Sequence, residues 1–302
     1  MHPARQLRQL LSRADIVVAP GAYDAIGAMM IEQAGFAAVY MTGSGTSAAL
    51  GYPDYGLTTM TEMVENAGII SRAVRIPLIA DADTGYGNEL NVTRAVREYE
   101  SRSVAGIHIE DQVSPKRCGH LDGKEVVPRA VWLSKIRAAV AARRDPDFTV
   151  IARTDARAAL GLDEAITRAN AALSAGADVA FVEAAQSLEE VAAIPARVQG
   201  PCLLNMVGGG KTPLVRVADA QAMGYRIAIM PGILLRSAIA TFDAVLAEAR
   251  ETGRLPARAI PDDVVQGFRR FGADEWDDLR TRFAGLDSDD GAPATAVSPE
   301  AA

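Results

Sequence analysis

Short runs of consecutive apolar residues recur along the chain. Each is closed by polar or small residues and followed by helical periodicity. The runs occupy residues 16–19, 37–41, 77–80, 106–109, 148–152, 179–182, 202–204 and 227–230. Unbroken apolar runs of this length suit strands covered on both faces, as in parallel sheets. Between them the apolar positions adopt a helical period. Over 163–175, Ile166, Ala169 and Leu173 share one stripe, which predicts a helix. Thr212 and Pro213 predict an N-cap and a first helical position. Gly35, Gly176 and Gly224 read as left-handed C-caps just before strands, and Gly106 as a tighter version of the same device. Eight strand–helix units over about 250 residues predict an α/β fold of the closed (β/α)8 TIM-barrel type. Count and even spacing favour it over an open doubly wound sheet. One barrel domain is expected over residues 1–285, and a small, polar tail over 286–302 reads as disordered.

Composition narrows the partners. The 302 residues carry 31 Lys and Arg against 38 Asp and Glu, a net charge of −7, with no long basic run. Nucleic acid is therefore not expected as a partner, since phosphate binding needs a clustered positive face. The two cysteines, Cys118 and Cys202, are far apart, which argues against a disulfide framework and for a reducing compartment. The first residues, MHPARQLRQLLSRAD, place charges where a signal peptide has its apolar core. No stretch approaches the roughly 18 apolar residues of a membrane span. A cytoplasmic protein without a membrane partner is the expectation.

Chemistry in such a barrel collects at the carboxyl ends of the strands. Those ends are polar here: Thr42-Gly43-Ser44-Gly45, Asp81-Ala82-Asp83, Glu110-Asp111, Arg153-Thr154-Asp155, Glu183 and Asn205, with Asp54 in the loop after strand two. Taken singly, each also reads as a strand-end or helix cap. As a set, converging carboxylates would repel one another unless a cation sits among them. The Asp81/Asp83 alternation points two of them to one side of a strand. With histidine limited to His2, His108 and His120, oxygen donors dominate, which favours Mg²⁺, with Mn²⁺ as a substitute, over zinc.

Residues 111–127 lack periodicity, as a lid or binding loop would. They contain Lys116-Arg117-Cys118-Gly119-His120. These polar neighbours are expected to pull the Cys118 thiol toward neutrality, where it can exchange a proton. Cys202, within an apolar run, reads as packing. The Gly208-Gly209-Gly210-Lys211-Thr212 stretch ends like a P-loop but has Asn205 where that motif needs glycine. Gly43-x-Gly45-x-x-Ala48 resembles a dinucleotide fingerprint, yet Gly51, Pro53 and Gly56 interrupt the helix that should follow. Both read as glycine turns that admit a small anion.

The segments Asp81-Ala82-Asp83-Thr84-Gly85-Tyr86-Gly87, His108-Ile109-Glu110-Asp111-Gln112 and Lys116-Arg117-Cys118-Gly119-His120 resemble the isocitrate lyase/phosphoenolpyruvate mutase superfamily. So do Ala152-Arg153-Thr154-Asp155 and Asn205-Met206-Val207. The resemblance implies a (β/α)8 barrel, a homotetramer, and exchange of the last barrel helix between subunits. It implies Mg²⁺ on Asp81 and Asp83, with Glu110 and Asp54 holding its waters. The 2-oxo-acid part of a substrate would lie against Tyr40, Thr42, Gly43, Ser44, Gly119, Arg153 and Asn205. Lys116, Arg117 and Arg236 would meet further carboxylates, and His120 and Glu183 would complete the catalytic set.

The reaction implied is cleavage or formation of a C–C or P–C bond beside an oxo or hydroxy acid. A retro-aldol cleavage suits the residues. The chelated hydroxyl loses a proton to a base, and Cys118 protonates the departing fragment as general acid. The leading expectation is a Mg²⁺-dependent lyase for a branched 2-hydroxy di- or tricarboxylate, methylisocitrate first and dimethylmalate next. It would release pyruvate or glyoxylate. A phosphonate-forming carboxyphosphonoenolpyruvate mutase is the alternative. A barrel that binds oxo acids without turnover is another, suggested by Gly208, where related sequences carry Glu.

Overall fold

Alternation within the strands decides where the core and the site sit. The computed structural model describes residues 1–256 and 263–284, so the tail expected over 286–302 lies outside the described residues. Strands β1 (Val17–Ala22), β2 (Val39–Met41), β3 (Leu78–Asp81), β4 (Gly106–Glu110), β5 (Thr149–Thr154), β6 (Val179–Val182), β7 (Cys202–Asn205) and β8 (Ile227–Met230) follow one another in order. All pair in parallel, and β8 closes on β1 to form a (β/α)8 barrel. The chain divides into two compact units, Met1–Ala240 with the barrel and Thr241–Ala302. The second includes helices Val264–Arg269 and Ala273–Ala284. Among the described residues, no helix is long and apolar enough to cross a membrane.

Every strand is buried on both sides, hence its apolar run. One set of positions, including Tyr40, Ile79, Ile151, Phe181, Leu203 and Ile229, fills the barrel interior together with Leu7 of helix Pro3–Ser12. The intervening set, including Met41, Leu78, Ala80, Ile107 and Val150, packs outward under the helices. Several strands run one or two residues past their apolar runs, because the closing polar residues join the ladder. Asp81 pairs with His108, Glu110 with Arg153 and Asn205 with Ile229. The pleat that buries Ile79 and Ile151 therefore aims Asp81 and Arg153 into the barrel mouth.

The helix expected over 163–175 is Leu162–Ser174. Gly35, Gly176 and Gly224 take positive φ at helix ends, as expected. Gly106 does not. It lies inside β4, where a Cβ would stand 2.7 Å from the Thr149 carbonyl oxygen, so its role is close strand approach. Thr212-Pro213 starts no helix either. The next helix, Val217–Met223, begins at Arg216 with no side-chain cap.

Candidate active site

A cavity of about 250 Å³ opens at the carboxyl ends of the strands. It is lined by Tyr40, Thr42, Ser44, Asp54, Asp81, Cys118, Gly119, His120, Arg153, Glu183, Asn205 and Arg236, with Val207, Pro231, Gly232 and Leu235. Four expected site residues lie beside or beneath it. Gly43 gives the Asp81 carboxylate room, since a Cβ there would stand 2.9 Å from Asp81 Cγ. Asp83, Glu110 and Lys116 are buried. Arg117 is not brought in: it is exposed, with its guanidinium 5.8 Å from the centre of the Tyr55 ring. A more apolar recess, lined by Met206, Leu214, Met230 and Ile233, adjoins the cavity at Val207, Gly232 and Arg236. The Arg236 guanidinium donates to the Gly208 carbonyl there.

Carboxylates crowd the β3–β4 side. Asp81 ends β3, and Asp83 follows in a left-handed turn with φ of 46°. A turn, rather than the pleat, thus brings these carboxylates together, with Asp83 N–H donating to Asp81 Oδ1 at 2.9 Å. Lys116 Nζ lies 2.5 Å from Asp54 Oδ1 and 2.9 Å from Asp83 Oδ1. Burial opposes ionisation of Asp81, but His108, Lys116 and Arg153 outweigh it and hold the carboxyl at about 2. Burial raises Asp83 to about 6, opposed by Lys116 and aided by Asp81 and Asp54. Glu110 is pushed well above the carboxylate range by burial, against Arg153 and Lys116. His108, not among the expected site residues, is 2.8 Å from the Tyr40 hydroxyl and 3.5 Å from Asp81. Burial lowers it to about 4, so it is neutral at pH 7. Its signal was the i, i+2 pairing with Glu110 on the inward face of β4.

These residues fit a hard cation. Both Glu110 oxygens are buried without a hydrogen bond, although Arg153 Nε lies 3.1 Å from Glu110, and buried Asp83 Oδ1 meets only the Lys116 ammonium that it shares with Asp54. Oxygen donors in excess of their hydrogen bonds are the donor set that Mg²⁺ takes. Among the described residues, no three His, Cys, Asp or Glu side chains close into a preformed metal cage. The set is an open one, with the Lys116 ammonium lodged within it.

The β5–β7 side carries mixed charges. His120 Nδ1 accepts from Lys211 N–H at 3.1 Å, which leaves the proton on Nε2, 3.0 Å from Glu183. Asn205 donates to both Glu183 oxygens at 3.2 Å. Burial opposes ionisation of Glu183, yet Arg153 and His120 hold it below the usual range. Tyr40 is raised well above 10 by burial and by Asp81, and so remains protonated. The Cys118 expectation needs correcting: its thiol is raised, not lowered. Burial dominates, and the N–H of His120 only partly offsets it. Cys202 is buried in β7 and pushed up to about 12 by desolvation, in keeping with packing.

A second polar cluster starts just past the carboxyl ends of β4 and β5. Arg153 Nε donates to Asp155 at 2.9 Å, and Asp155 N–H donates to Asp111 at 2.7 Å. Asp111 also accepts from Thr154 and Arg168, and Asp155 from Lys124. Asp155 and Asp111 were visible as strand-end polar residues. Lys124 had no signal, because it sits in a loop without periodicity.

Comparison with known proteins agrees with this geometry. Residues 7–250 match the family model described as phosphoenolpyruvate phosphomutase. The chain is 53% identical over 232 residues to a 2,3-dimethylmalate lyase from Eubacterium barkeri, covering 76% of this chain and 80% of that one. It is 45% identical over 251 residues to a 2-methylisocitrate lyase from Aeropyrum pernix, covering 83% and 81%. A structure of oxaloacetate acetylhydrolase with the inhibitor 3,3-difluorooxalacetate superposes with a TM-score of 0.90 at 41% identity, covering 95% of this chain and 98% of that one. A phosphonopyruvate hydrolase complex with oxalate and Mg²⁺ superposes at 0.85 with 32% identity, covering 94% and 100%. Motifs, barrel and relatives converge, and the chain belongs to the isocitrate lyase/phosphoenolpyruvate mutase superfamily.

Proposed function

We propose that this chain is a carbon–carbon lyase that cleaves a branched 2-hydroxy di- or tricarboxylate to an oxo acid and a carboxylate. The observation that carries this reading is the juxtaposition of acids and thiol. Buried acids flank one side of a cavity, Glu110 with both oxygens free of hydrogen bonds, and the Cys118 thiol lines the same cavity. The 2-methylisocitrate and 2,3-dimethylmalate lyases among the relatives support it, and the phosphonate-forming alternative has less support from them.

The reading takes Mg²⁺, or Mn²⁺ in its place, as cofactor, with Asp81 and Asp83 to hold it and Glu110 and Asp54 to orient its waters. Such an ion supplies polarisation of the substrate's chelating oxygens and offsets charge that develops as the bond breaks. Arg153, held by Asp155 and Glu110, binds the oxo-acid carboxylate as a planar donor. Glu183 is ionised in the cavity wall and accepts the hydroxyl proton, while Tyr40 donates to the adjacent oxygen. Cys118 is kept as a neutral thiol, the form a general acid needs, and protonates the departing fragment. The loop that bears it excludes water. Arg236 at the cavity rim meets a further carboxylate.

We also read the chain as a cytoplasmic homotetramer that exchanges its last barrel helix. In support, helix Ile233–Thr252 has no buried residue, and Ile239, Phe242 and Leu246 are exposed on it at helical spacing.

Proton and phosphorus NMR of the purified protein with Mg²⁺ tests the function. The panel is methylisocitrate, dimethylmalate, isocitrate, oxaloacetate and phosphonopyruvate. Turnover of methylisocitrate or dimethylmalate to an oxo acid is expected. Turnover of phosphonopyruvate alone, or oxalate binding without turnover of any acid, overturns the lyase reading.

A further inference from the structure

Lys124 is a buried cation that the cavity does not expose. A lysine head group is rarely taken wholly out of water without partners, and this side chain is 1% exposed. Its Nζ donates to Asp155 Oδ1 at 2.8 Å and to the main-chain carbonyl of Gly119. Gly119 follows Cys118 directly. It packs so tightly on the cavity wall that a Cβ would stand 2.6 Å from Glu183 Cγ. Asp155 is fixed from its other side by Arg153 and, through its N–H, by Asp111. Further along the loop, Val127 N–H donates to the Asp111 carbonyl, and Arg168 donates to the Val127 carbonyl.

The geometry points to Lys124 as the positioning residue of this loop: its ammonium clamps the Gly119 carbonyl to Asp155 and so holds the Cys118 thiol against the cavity wall. The two bonds differ in kind. Asp155 is an anion and Gly119 offers a neutral carbonyl, so the Asp155 bond is the stronger. Release therefore starts at Gly119, with Lys124 staying anchored on the barrel while the Cys118–Gly119 tip lifts. Lys124 does not line the cavity, so it acts on the thiol only through the backbone. The contact itself is independent of the lyase reading; its consequence for turnover rests on that reading.

The test uses the full chain and Lys124→Met, with iodoacetamide labelling of each cysteine followed by mass spectrometry. Cys202, buried in β7, reports global opening. Cys118 is expected to label about tenfold faster in the variant, the factor set by one lost hydrogen bond to a charged group, with Cys202 still unlabelled. With the lyase substrate, kcat is expected to fall more than KM rises, because the thiol is displaced while the oxo-acid contacts remain. Lys124→Gln, which keeps a donor but no charge, should fall between the two. Cys118 labelling within twofold of wild type overturns the clamp. A parallel rise at Cys202 also overturns it, leaving only a structural role. Should Lys124→Met not fold, Lys124→Gln is judged by the same criteria. Absence of wild-type turnover refutes the lyase reading without touching the labelling result.

Discussion

The β3–β4 side of the barrel mouth and the cluster just past the ends of β4 and β5 are both dense in buried charge, yet they are balanced differently. In that cluster, Asp155 meets Arg153 and Lys124, and Asp111 meets Arg168 and Thr154. Neither acid appears among the buried groups without a hydrogen bond. On the β3–β4 side, Glu110 retains two buried oxygens with no hydrogen bond, and one ammonium, Lys116, is shared between Asp54 and Asp83. A satisfied buried network fixes geometry, whereas an under-satisfied one is costly unless a ligand completes it. On the proposed function, the Asp155–Asp111 network holds Arg153 in place, and the β3–β4 carboxylates take the cation.

Substitutions separate the two regions. Asp83→Ala carries the largest expected effect: turnover drops to background in the NMR assay, since the proposed function puts this residue in the cation set. Wild-type turnover in that variant would remove Asp83 from it. Cys118→Ala should lower kcat by about 10²–10⁴, the usual worth of a positioned acid. A loss of only a few-fold would take the thiol out of the mechanism.

Asp155→Asn should act on stability first, costing about 3–5 kcal/mol at pH 7 by leaving buried cations uncompensated. Burial opposes ionisation of Asp155, but Arg153 and Lys124 hold its folded-state pKa far below the ordinary value. A depressed carboxyl pKa contributes stability that is full above the unfolded value near 3.9 and lost as pH falls below it. The gap between wild type and variant in urea unfolding should therefore persist from pH 7 to 5 and narrow below about pH 4. A gap that is constant with pH would contradict the assignment.

The barrel was legible because each strand is an apolar run and each polar strand end is abrupt. The carboxylates and Arg153 were legible for the same reason. What the sequence hid depends on long-range burial. Cys118 looked activated by its neighbours, but the fold turns Arg117 out to Tyr55 and buries Lys116 among acids, so desolvation decides the thiol. His108 was lost among apolar neighbours in β4. Lys124 lies where neither periodicity nor motif speaks. Gly106 and Thr212-Pro213 misled because a glycine before a strand and a Thr-Pro pair each serve more than one local structure.

On the proposed function, the β3–β4 carboxylates, and not the hydrogen-bonded pair Asp111 and Asp155, gather a divalent cation. Isothermal titration of Mg²⁺ into Asp83→Ala and Asp155→Asn, beside wild type at one pH, tests it directly. Binding lost in Asp83→Ala and retained in Asp155→Asn is the predicted result. Normal binding in Asp83→Ala would contradict it.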